Sequence, residues 1–476
     1  MKLIHFIKSF VIIFILIPLL PLQGQETVEQ EGRNVYFLPA FGINIFSNAI
    51  LYLADRYIAQ EPWAQISFDS IKNNFASLWE WDRDEYFTNQ FLHPYQGSVY
   101  HAAARANGFT FYESLLFDAF GSATWELVFE TNTPSINDLI STTIGGASLG
   151  EMFHRLYLET PHPLAVLISP ADAVNGLITG RRPKRKTTNI YSLDLTFGIG
   201  YVYSRQAAGK YRERGLIPLR ETHSASADVS CNVVYGNPFT QQSGTPFNHF
   251  ELSVYANIAN PFWYNFNIRS DGYLFSFNVI DNAKSMASTG LSLHYDLFSD
   301  RHINFFGESL DWTFKYIRLF NNSRNIELKG HLGAVVFNAD NSYFFDGYTN
   351  FRQTKNDYGA GVNMKLFFST AHKKRGKLTF NVSAYEVFSI FNNNHTDDAD
   401  ILFFYTDMSY IYIRLKNIGV SAFQIRFSGK PQFIISLRIQ IKCRIWRNFL
   451  LVGLMNYQKN DNINRKNGGL LIGIFA

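Results

Sequence analysis

The chain has 476 residues, of which 46% are hydrophobic and 16% aromatic, and its formal net charge at pH 7 is +4. So small a charge on so long a chain gives no support for nucleic-acid binding. Its two cysteines, Cys231 and Cys443, are too few for the disulfide framework of a small secreted protein.

The N-terminus has the layout of a secretory signal peptide. Lys2 and Lys8 precede an apolar run from Phe10 to Leu20, and small or polar residues follow at positions 23–25. The apolar run is shorter than the ~20 residues that a transmembrane helix needs. We therefore expect residues 1–24 to be a signal peptide and the protein to be exported.

Residues 25–189 are predicted to form an α-helical module. The apolar stretch from Ala40 to Tyr57 is long enough for one helix. A second helix is predicted between Ser67 and Trp79, because apolar residues recur there at helical spacing and would form one buried face. These residues are Phe68, Ile71, Phe75 and Leu78.

Three further helices have recognisable ends. His93-Pro94 predicts a helix start, since proline at the first helical position loses no internal hydrogen bond, and Asn107-Gly108 predicts its stop. The stretch from Thr110 to Glu113 is a capping box that opens the next helix. Pro134 to Asp138 contains the N-cap of the third.

These helices carry charged residues where a plain core would have leucine or alanine. Polar residues recur every four positions from Ser114 to Glu130, and small residues follow Asp138 at the same interval, giving a groove that another helix can enter. Buried charges persist when they are paired, so we expect a structural polar network, with Glu113 as the carboxylate nearest Arg105. The members of this predicted network are Arg105, Glu113, Asp118, Glu126, Glu130 and Asp138.

Two chemical alternatives use the same helices. His93, His101, Glu113 and Ser114 are the candidate catalytic residues of an acyl hydrolase, because a serine activated by histidine and a carboxylate recurs on unrelated folds. Ser114, however, lacks a G-x-S-x-G turn and lies inside a capped helix. A metal site built from His93, His101, Glu126 or Glu130 has no HExxH motif to support it. We predict neither a metal nor a cofactor and favour a role without catalysis.

From Ile190 to the C-terminus the hydrophobic period becomes two. Leu195, Phe197 and Ile199 alternate with Asp194 and Thr196, and the same alternation returns in later segments. Long strands with apolar residues outward and polar residues inward are typical of a transmembrane β-barrel. Residues 190–476 are therefore predicted to form a membrane all-β barrel.

Loop lengths predict about 14 antiparallel strands, within a range of 12–16. If the last strand is Gly468 to Ala476, short turns at Lys416 to Ile418 and at Trp446 to Asn448 fall on the periplasmic side. Long loops at Phe391 to Ala399 and at Asn338 to Asn356 then fall outside the cell, as expected of such barrels.

Several motifs between Trp79 and Arg155 resemble those of a known family. They are WEWD at 79–82, NQFLHPYQGSVYHAAARANG at 89–108, GSATWE at 121–126 and PSINDLISTTIGGASLGE at 134–151. Together they are similar to an uncharacterised family of gram-negative outer-membrane proteins that carries a domain of unknown function. The resemblance implies an outer-membrane setting and supplies no catalytic residues.

We therefore expect a protein of the cell outer membrane with an envelope structural or transport role. The alternative is an outer-membrane acyl hydrolase acting on lipid or lipopolysaccharide. The expected partners are outer-membrane lipid, lipopolysaccharide and, during biogenesis, the barrel-assembly machinery. The helical module is predicted to be a plug in the barrel or a cap on its periplasmic side.

Overall fold

The computed structural model describes residues 34–446 with short gaps. The gaps are 83, 161–162, 182–188, 207–220, 239–243, 260–262, 283, 300–302, 322–323, 346–350, 354–355, 373–374, 392–400, 416–417 and 431–433. The predicted signal peptide and the predicted strand Gly468 to Ala476 lie outside the described residues.

The N-terminal part of the described chain is helical. The helices are α1 (Phe37–Ala54), α2 (Phe68–Ala76), α3 (His93–Ala106), α4 (Phe111–Thr124), α5 (Ile136–Glu159), α6 (Leu164–Ile168) and α7 (Pro170–Thr179). Wider π-type turns continue α1 at Asp55–Ala59, precede α3 at Thr88–Leu92 and follow α4 at Trp125–Phe129.

The predicted helix signals have the expected geometry. In the capping box, the Thr110 side chain accepts from the Glu113 amide at 3.2 Å, and Glu113 Oε2 accepts from the Thr110 amide at 2.7 Å. The Ser135 hydroxyl caps α5 by accepting from the Asp138 amide at 3.2 Å. Gly108 follows α3 with φ of +88°, a conformation that favours glycine.

Helices α3 and α5 meet backbone to backbone. A Cβ atom on Gly97 would lie 2.0 Å from the Thr142 carbonyl oxygen, and one on Gly146 would lie 2.6 Å from Gly97 Cα. One on Gly150 would lie 2.6 Å from His101 Cβ. The small residues that follow Asp138 at four-residue intervals thus form the groove into which α3 fits.

Thirteen strands follow the helices in the described chain. They are β1 (Ile190–Gln206), β2 (Glu221–Tyr235), β3 (Phe250–Ala259), β4 (Trp263–Asp281), β5 (Ser285–Ser299), β6 (Ile303–Asn321), β7 (Arg324–Phe345), β8 (Phe351–Gln353), β9 (Asp357–His372), β10 (Gly376–Phe391), β11 (Ile401–Leu415), β12 (Ile418–Lys430) and β13 (Ile434–Trp446).

Twelve of these strands close into a ring of antiparallel neighbours. β1 pairs with both β2 and β13, and β6 pairs with β7, so each ring strand has two partners; the three-residue β8 adds only to the end of β7. The predicted barrel class is confirmed. The ring formed by the described residues has twelve strands, which is within the predicted range of 12–16. Asn338 to Phe345 extend β7 instead of belonging to the predicted long loop.

The two faces of the wall follow the predicted alternation. Thr196 is buried, whereas its neighbours Phe197 and Ile199 are 48% and 71% exposed. Trp312 and Leu332 on later strands are also exposed on this outward face. A band of exposed aromatic and aliphatic side chains around a polar interior is the surface expected of a barrel in lipid.

Side chains of distant strands meet inside the ring. Asp296 of β5 accepts from Lys365 Nζ of β9 at 2.6 Å and from the Tyr385 hydroxyl of β10 at 2.9 Å. Arg269 of β4 lies over the ring of Tyr405 of β11, with 4.8 Å between guanidinium carbon and ring centroid. β4 and β11 are six places apart in the twelve-strand ring, so this contact crosses the lumen.

An aromatic layer crosses the same interior. Phe305 of β6 stacks on Phe403 of β11 with 4.2 Å between ring centroids, and Phe298 of β5 lies 5.0 Å from the Tyr405 ring. All four side chains are at most 4% exposed. At this level of the described barrel, side chains from the wall occupy the lumen.

The helices pack on the opposite, outward face. Tyr295 alternates along β5 with the lumenal residues His294 and Asp296, and its hydroxyl donates to the Gln90 carbonyl at 2.6 Å. Trp81 stacks on Phe337 and Tyr358, with 6.4 and 5.1 Å between ring centroids. The described helices thus lie beside the wall, which corrects the expected plug or cap. The reason is chemical: the outward wall offers an apolar surface, whereas the lumen is polar and filled.

The orientation of α2 is also different from the prediction. Phe68, Phe75 and Leu78 are 83%, 64% and 89% exposed, and the buried side chain is Asn74. The Asn74 amide donates to the carbonyl oxygens of Glu126 and Glu130 at 3.1 and 2.9 Å. Three of the four residues of the predicted apolar face therefore point away from the rest of the protein, and Ile71 is half-buried. The inward position is held by Asn74 because its amide finds backbone acceptors there.

Candidate functional site

Two polar clusters occupy the interior of the helical module. The first, called here the His101 cluster, contains His101, Arg105, Asp118, Glu151 and Arg155. The second, called the acidic cluster, contains Asp82, Glu126, Glu130, Asp138 and His93. The predicted network thus divides in two, and its sixth member, Glu113, serves in the capping box.

The His101 cluster is built around two fully buried carboxylates. His101 Nδ1 lies 2.8 Å from Asp118 Oδ2, and Nε2 lies 3.3 Å from Glu151 Oε2. Arg105 Nε lies 2.7 Å from Glu151 Oε2, and Arg155 Nε lies 2.8 Å from Glu151 Oε1. The carboxylate placed against Arg105 is therefore Glu151 and not the expected Glu113.

The charges of the His101 cluster stabilise one another. Burial acts to lower the pKa of His101, but the Asp118 and Glu151 carboxylates outweigh it and raise that pKa to about 9. Burial acts to raise the pKa of Glu151, but Arg105, Arg155 and His101 hold it well below the usual range. At neutral pH the cluster is therefore ionised and paired.

This cluster also ties the helices to the barrel. Arg155 Nη2 donates to the Pro246 carbonyl in the β2–β3 connection at 2.8 Å. The Arg155 guanidinium lies over the Tyr235 ring of β2, 5.9 Å from its centroid. One guanidinium thus joins α5, the buried Glu151 and the wall.

The acidic cluster is held by amides and backbone donors. Asp82 Oδ1 accepts from Asn89 Nδ2 at 2.7 Å and from Asn137 Nδ2 at 2.9 Å. Glu126 Oε2 accepts from the Ser135 amide at 2.8 Å. His93, the histidine of this cluster, is more distant from its carboxylate partner: His93 Nε2 lies 3.8 Å from Asp138 Oδ2.

Burial favours the neutral forms of these groups. Burial, together with the charges of Asp138 and Asp84, raises the pKa of Glu130 to about 8, although a hydrogen bond with Glu126 acts in the opposite direction. Burial raises the pKa of Glu126 and lowers that of His93 to about 4. Glu126, Glu130 and Asp138 therefore favour their protonated, neutral forms, in contrast to the ionised groups of the His101 cluster.

The four candidate catalytic residues have separate structural contacts. The Ser114 hydroxyl donates to the Thr110 carbonyl at 2.8 Å, and Glu113 closes the capping box. Both ring nitrogens of His101 face carboxylates, while His93 faces Asp138. A serine nucleophile needs its hydroxyl within hydrogen-bond distance of a histidine nitrogen. The Ser114 hydroxyl instead contacts a backbone carbonyl, and both ring nitrogens of His101 contact carboxylates.

Glu151 was not a member of the predicted network, although it is the centre of the His101 cluster. The spacing of Glu151 and Arg155 does predict an i,i+4 pair, which the structure contains. Asp82 and the side-chain amides of Asn89 and Asn137 belong to the acidic cluster and its contacts, and the sequence did not predict them. The contact between Asp82 and Asn137 joins positions 55 residues apart, so only the fold shows it.

The helical module contains the segment that matches a protein family. Residues 78–162 match the family described as "Domain of unknown function (DUF3943)". The match is confined to this segment of the chain. Every member of the two polar clusters lies within it, and so do the motifs that carry the resemblance.

Similar solved structures are membrane β-barrels. The NanC porin is 9% identical, covers 54% of this chain and 100% of its own, and has a TM-score of 0.27. An outer membrane channel from Pseudomonas putida F1 is 8% identical, covers 55% of this chain and 96% of its own, and has a TM-score of 0.30. The translocator domain of the autotransporter NalP from Neisseria meningitidis is 8% identical, with a TM-score of 0.27 and coverage of 60% and 100%. Among curated proteins, none matches the chain.

Proposed function

We propose that the protein is a closed barrel of the cell outer membrane that holds its DUF3943 helices beside the wall as a structural component of the envelope. The outward apolar band supports a membrane location, where lipid and lipopolysaccharide would contact it. In this proposal the barrel-assembly machinery inserts the chain after export.

The observation that carries the structural role is the filled lumen. Arg269 and Tyr405 reach across the ring from opposite strands, and the aromatic layer of Phe298, Phe305 and Phe403 lies beside them. A diffusion pore needs a continuous aqueous path, which these buried side chains obstruct. Their burial supports a closed barrel over an open pore.

The exposed apolar surface of the helices supports the same setting. Leu78 is 89% exposed, and Leu167 and Leu177 are 78% and 74% exposed. The helix through Phe37–Ala59 is long and apolar enough to cross a membrane. A surface of this kind would be costly in water, and lipid beside the barrel wall would cover it.

Conductance in planar bilayers tests the closed state. The purified protein should give no steady open-pore current, whereas Phe298→Ala combined with Phe403→Ala should give channels, because two rings leave the aromatic layer. Phe314→Ala is the control, since Phe314 is 46% exposed on the outward face of β6. Steady channels in the wild-type protein would contradict the proposal.

Membrane fractionation with heat-modifiable gel mobility tests the location. The folded barrel should sediment with outer membranes and should migrate differently before and after boiling. Recovery of the protein in the soluble periplasmic fraction would refute the membrane assignment.

A further inference from the structure

We propose that the barrel lumen contains a binding site for a divalent transition-metal ion such as Zn²⁺, formed by His294, Asp311 and His331. The three residues lie on the adjacent strands β5, β6 and β7, and all are buried. One ligand atom of each lies within 4.8 Å of those of the other two. This site is separate from the polar clusters of the helices and does not depend on the proposed structural role.

The register of the strands explains why these side chains converge. Ser292 is the cross-strand partner of Asp311, and Thr313 is the partner of His331. His294 lies two residues beyond Ser292 on the same lumenal face. The imidazole rings meet edge to face, with 4.8 Å between their centroids and 87° between their planes. The wall thus presents two imidazoles and one carboxylate to one point.

The separation of the ligand atoms suits a small cation. His294 Nε2 lies 3.3 Å from Asp311 Oδ2. Two metal bonds of about 2.0–2.1 Å at a tetrahedral angle place their ligand atoms about 3.3 Å apart. Two imidazoles and one carboxylate are a ligand set that favours zinc and other first-row transition ions over calcium or magnesium. A fourth position remains for water or a nearby hydroxyl.

The surrounding residues orient the ligands. Asn363 Nδ2 donates to Asp311 Oδ1 at 2.8 Å, which turns the buried Oδ2 towards His294. Thr313 Oγ1 lies 2.8 Å from His331 Nδ1, and His331 Nε2 lies 3.9 Å from Asp271 Oδ2, so both ring nitrogens have neighbours that hold the imidazole in place. Such outer contacts fix the orientation of metal-binding side chains.

Lys365 is the competing cation. Its ammonium lies 3.2 Å from Asp311 Oδ2, but it lies closer, at 2.6 Å, to Asp296 Oδ2. It can therefore keep its ion pair with Asp296 while Asp311 binds the metal. The ion pairs of the described lumen involve more carboxylates than lysines, and Arg269 adds a further cation inside the ring. The carboxylates are Glu251, Asp271, Asp296, Asp311 and Glu327, and the lysines are Lys315, Lys329 and Lys365.

Zinc loading of the full-length folded protein in detergent tests the site. After treatment with a chelator and addition of Zn²⁺, the desalted protein should retain about one zinc ion per chain. His294→Gln and His331→Gln should each lose this stoichiometric zinc, whereas His372→Gln, at the end of β9, should retain it. The spectrum of bound Co²⁺ gives a second readout, and heat-modifiable mobility shows that each variant has folded.

Two further variants keep the test decisive if the histidine variants do not fold. Lys365→Met removes the competing ammonium and should tighten zinc binding about tenfold, whereas Asn363→Ala frees the Asp311 carboxylate and should weaken it about tenfold. Absence of stoichiometric zinc from both the wild type and Lys365→Met would overturn the proposal. Retention of wild-type affinity in folded His294→Gln and His331→Gln would overturn it as well.

Discussion

The contact between α3 and α5 gives a quantitative prediction for Gly97→Ala. The new Cβ would lie 2.0 Å from the Thr142 carbonyl oxygen, whereas a carbon and an oxygen in contact are normally about 3.3–3.6 Å apart. Because the obstructing atom belongs to the backbone, the helices must separate locally by more than about 1 Å. Overpacking of this kind costs about 3 kcal/mol, at the upper end of the usual range.

Helix propensity offsets part of that cost. Alanine in place of glycine inside a helix stabilises it by about 1 kcal/mol, so the net loss expected for Gly97→Ala is about 2 kcal/mol. Gly42→Ala in α1 is the matched control, because a Cβ there would meet nothing within 4 Å. The control should be neutral or stabilising by up to about 1 kcal/mol.

Urea unfolding in detergent, followed by tryptophan fluorescence, measures both variants. Trp81 stacks on Phe337 and Tyr358 of the wall, so its emission also reports whether the helices remain docked. Gly97→Ala should lower the unfolding midpoint without changing the barrel's heat-modifiable mobility. Equal midpoints for Gly97→Ala and Gly42→Ala would refute the close approach of α3 and α5.

Three other predictions concern the helical module. Arg105→Met should destabilise the module by several kcal/mol because buried Glu151 loses an ion pair. Combining Arg105→Met with Glu151→Gln should recover part of that loss in a double-mutant cycle, and additive effects would contradict the pairing. The pKa of His101 is about 9 in the folded protein and about 6.5 in the unfolded chain, so its contribution to stability should be complete below pH 6.5 and lost as pH rises through 9. His101→Gln should remove this pH dependence of urea unfolding, and an unchanged pH profile in the variant would argue against it. Thr110→Ala should lower the free energy of unfolding by about 1 kcal/mol in thermal unfolding because the helix cap is lost, while Thr110→Ser should retain stability. Equal losses of stability in the two variants would exclude the cap.

Local signals in the sequence determined much of the architecture. The two-residue period of Phe197 and Ile199 against Thr196 indicates a wall with one apolar and one polar face. The Thr110–Glu113 capping box and the turn at Gly108 are also local, because they depend on residues within one helical turn. Small residues at four-residue intervals from Thr142 to Gly150 predict close helix packing for the same reason.

Only the tertiary structure decided which partners meet. Arg105 pairs with Glu151, 46 residues away, although Glu113 is closer in sequence, because α3 crosses α5 at the glycine groove. The hydrophobic pattern shows that α2 has an apolar face but not whether that face meets protein or lipid. For the same reason, the hydrophobic pattern does not show that the helices lie outside the barrel wall.

Strand number and lumenal chemistry also required the folded chain. Ring closure depends on the pairing of β1 with β13, whose residues are more than two hundred positions apart. The two-residue hydrophobic period does not show which strands pair. His294, Asp311 and His331 lie on three separate strands and carry no motif spacing. Their convergence is set by the register between strands, which cross-strand hydrogen bonds and tight turns determine together.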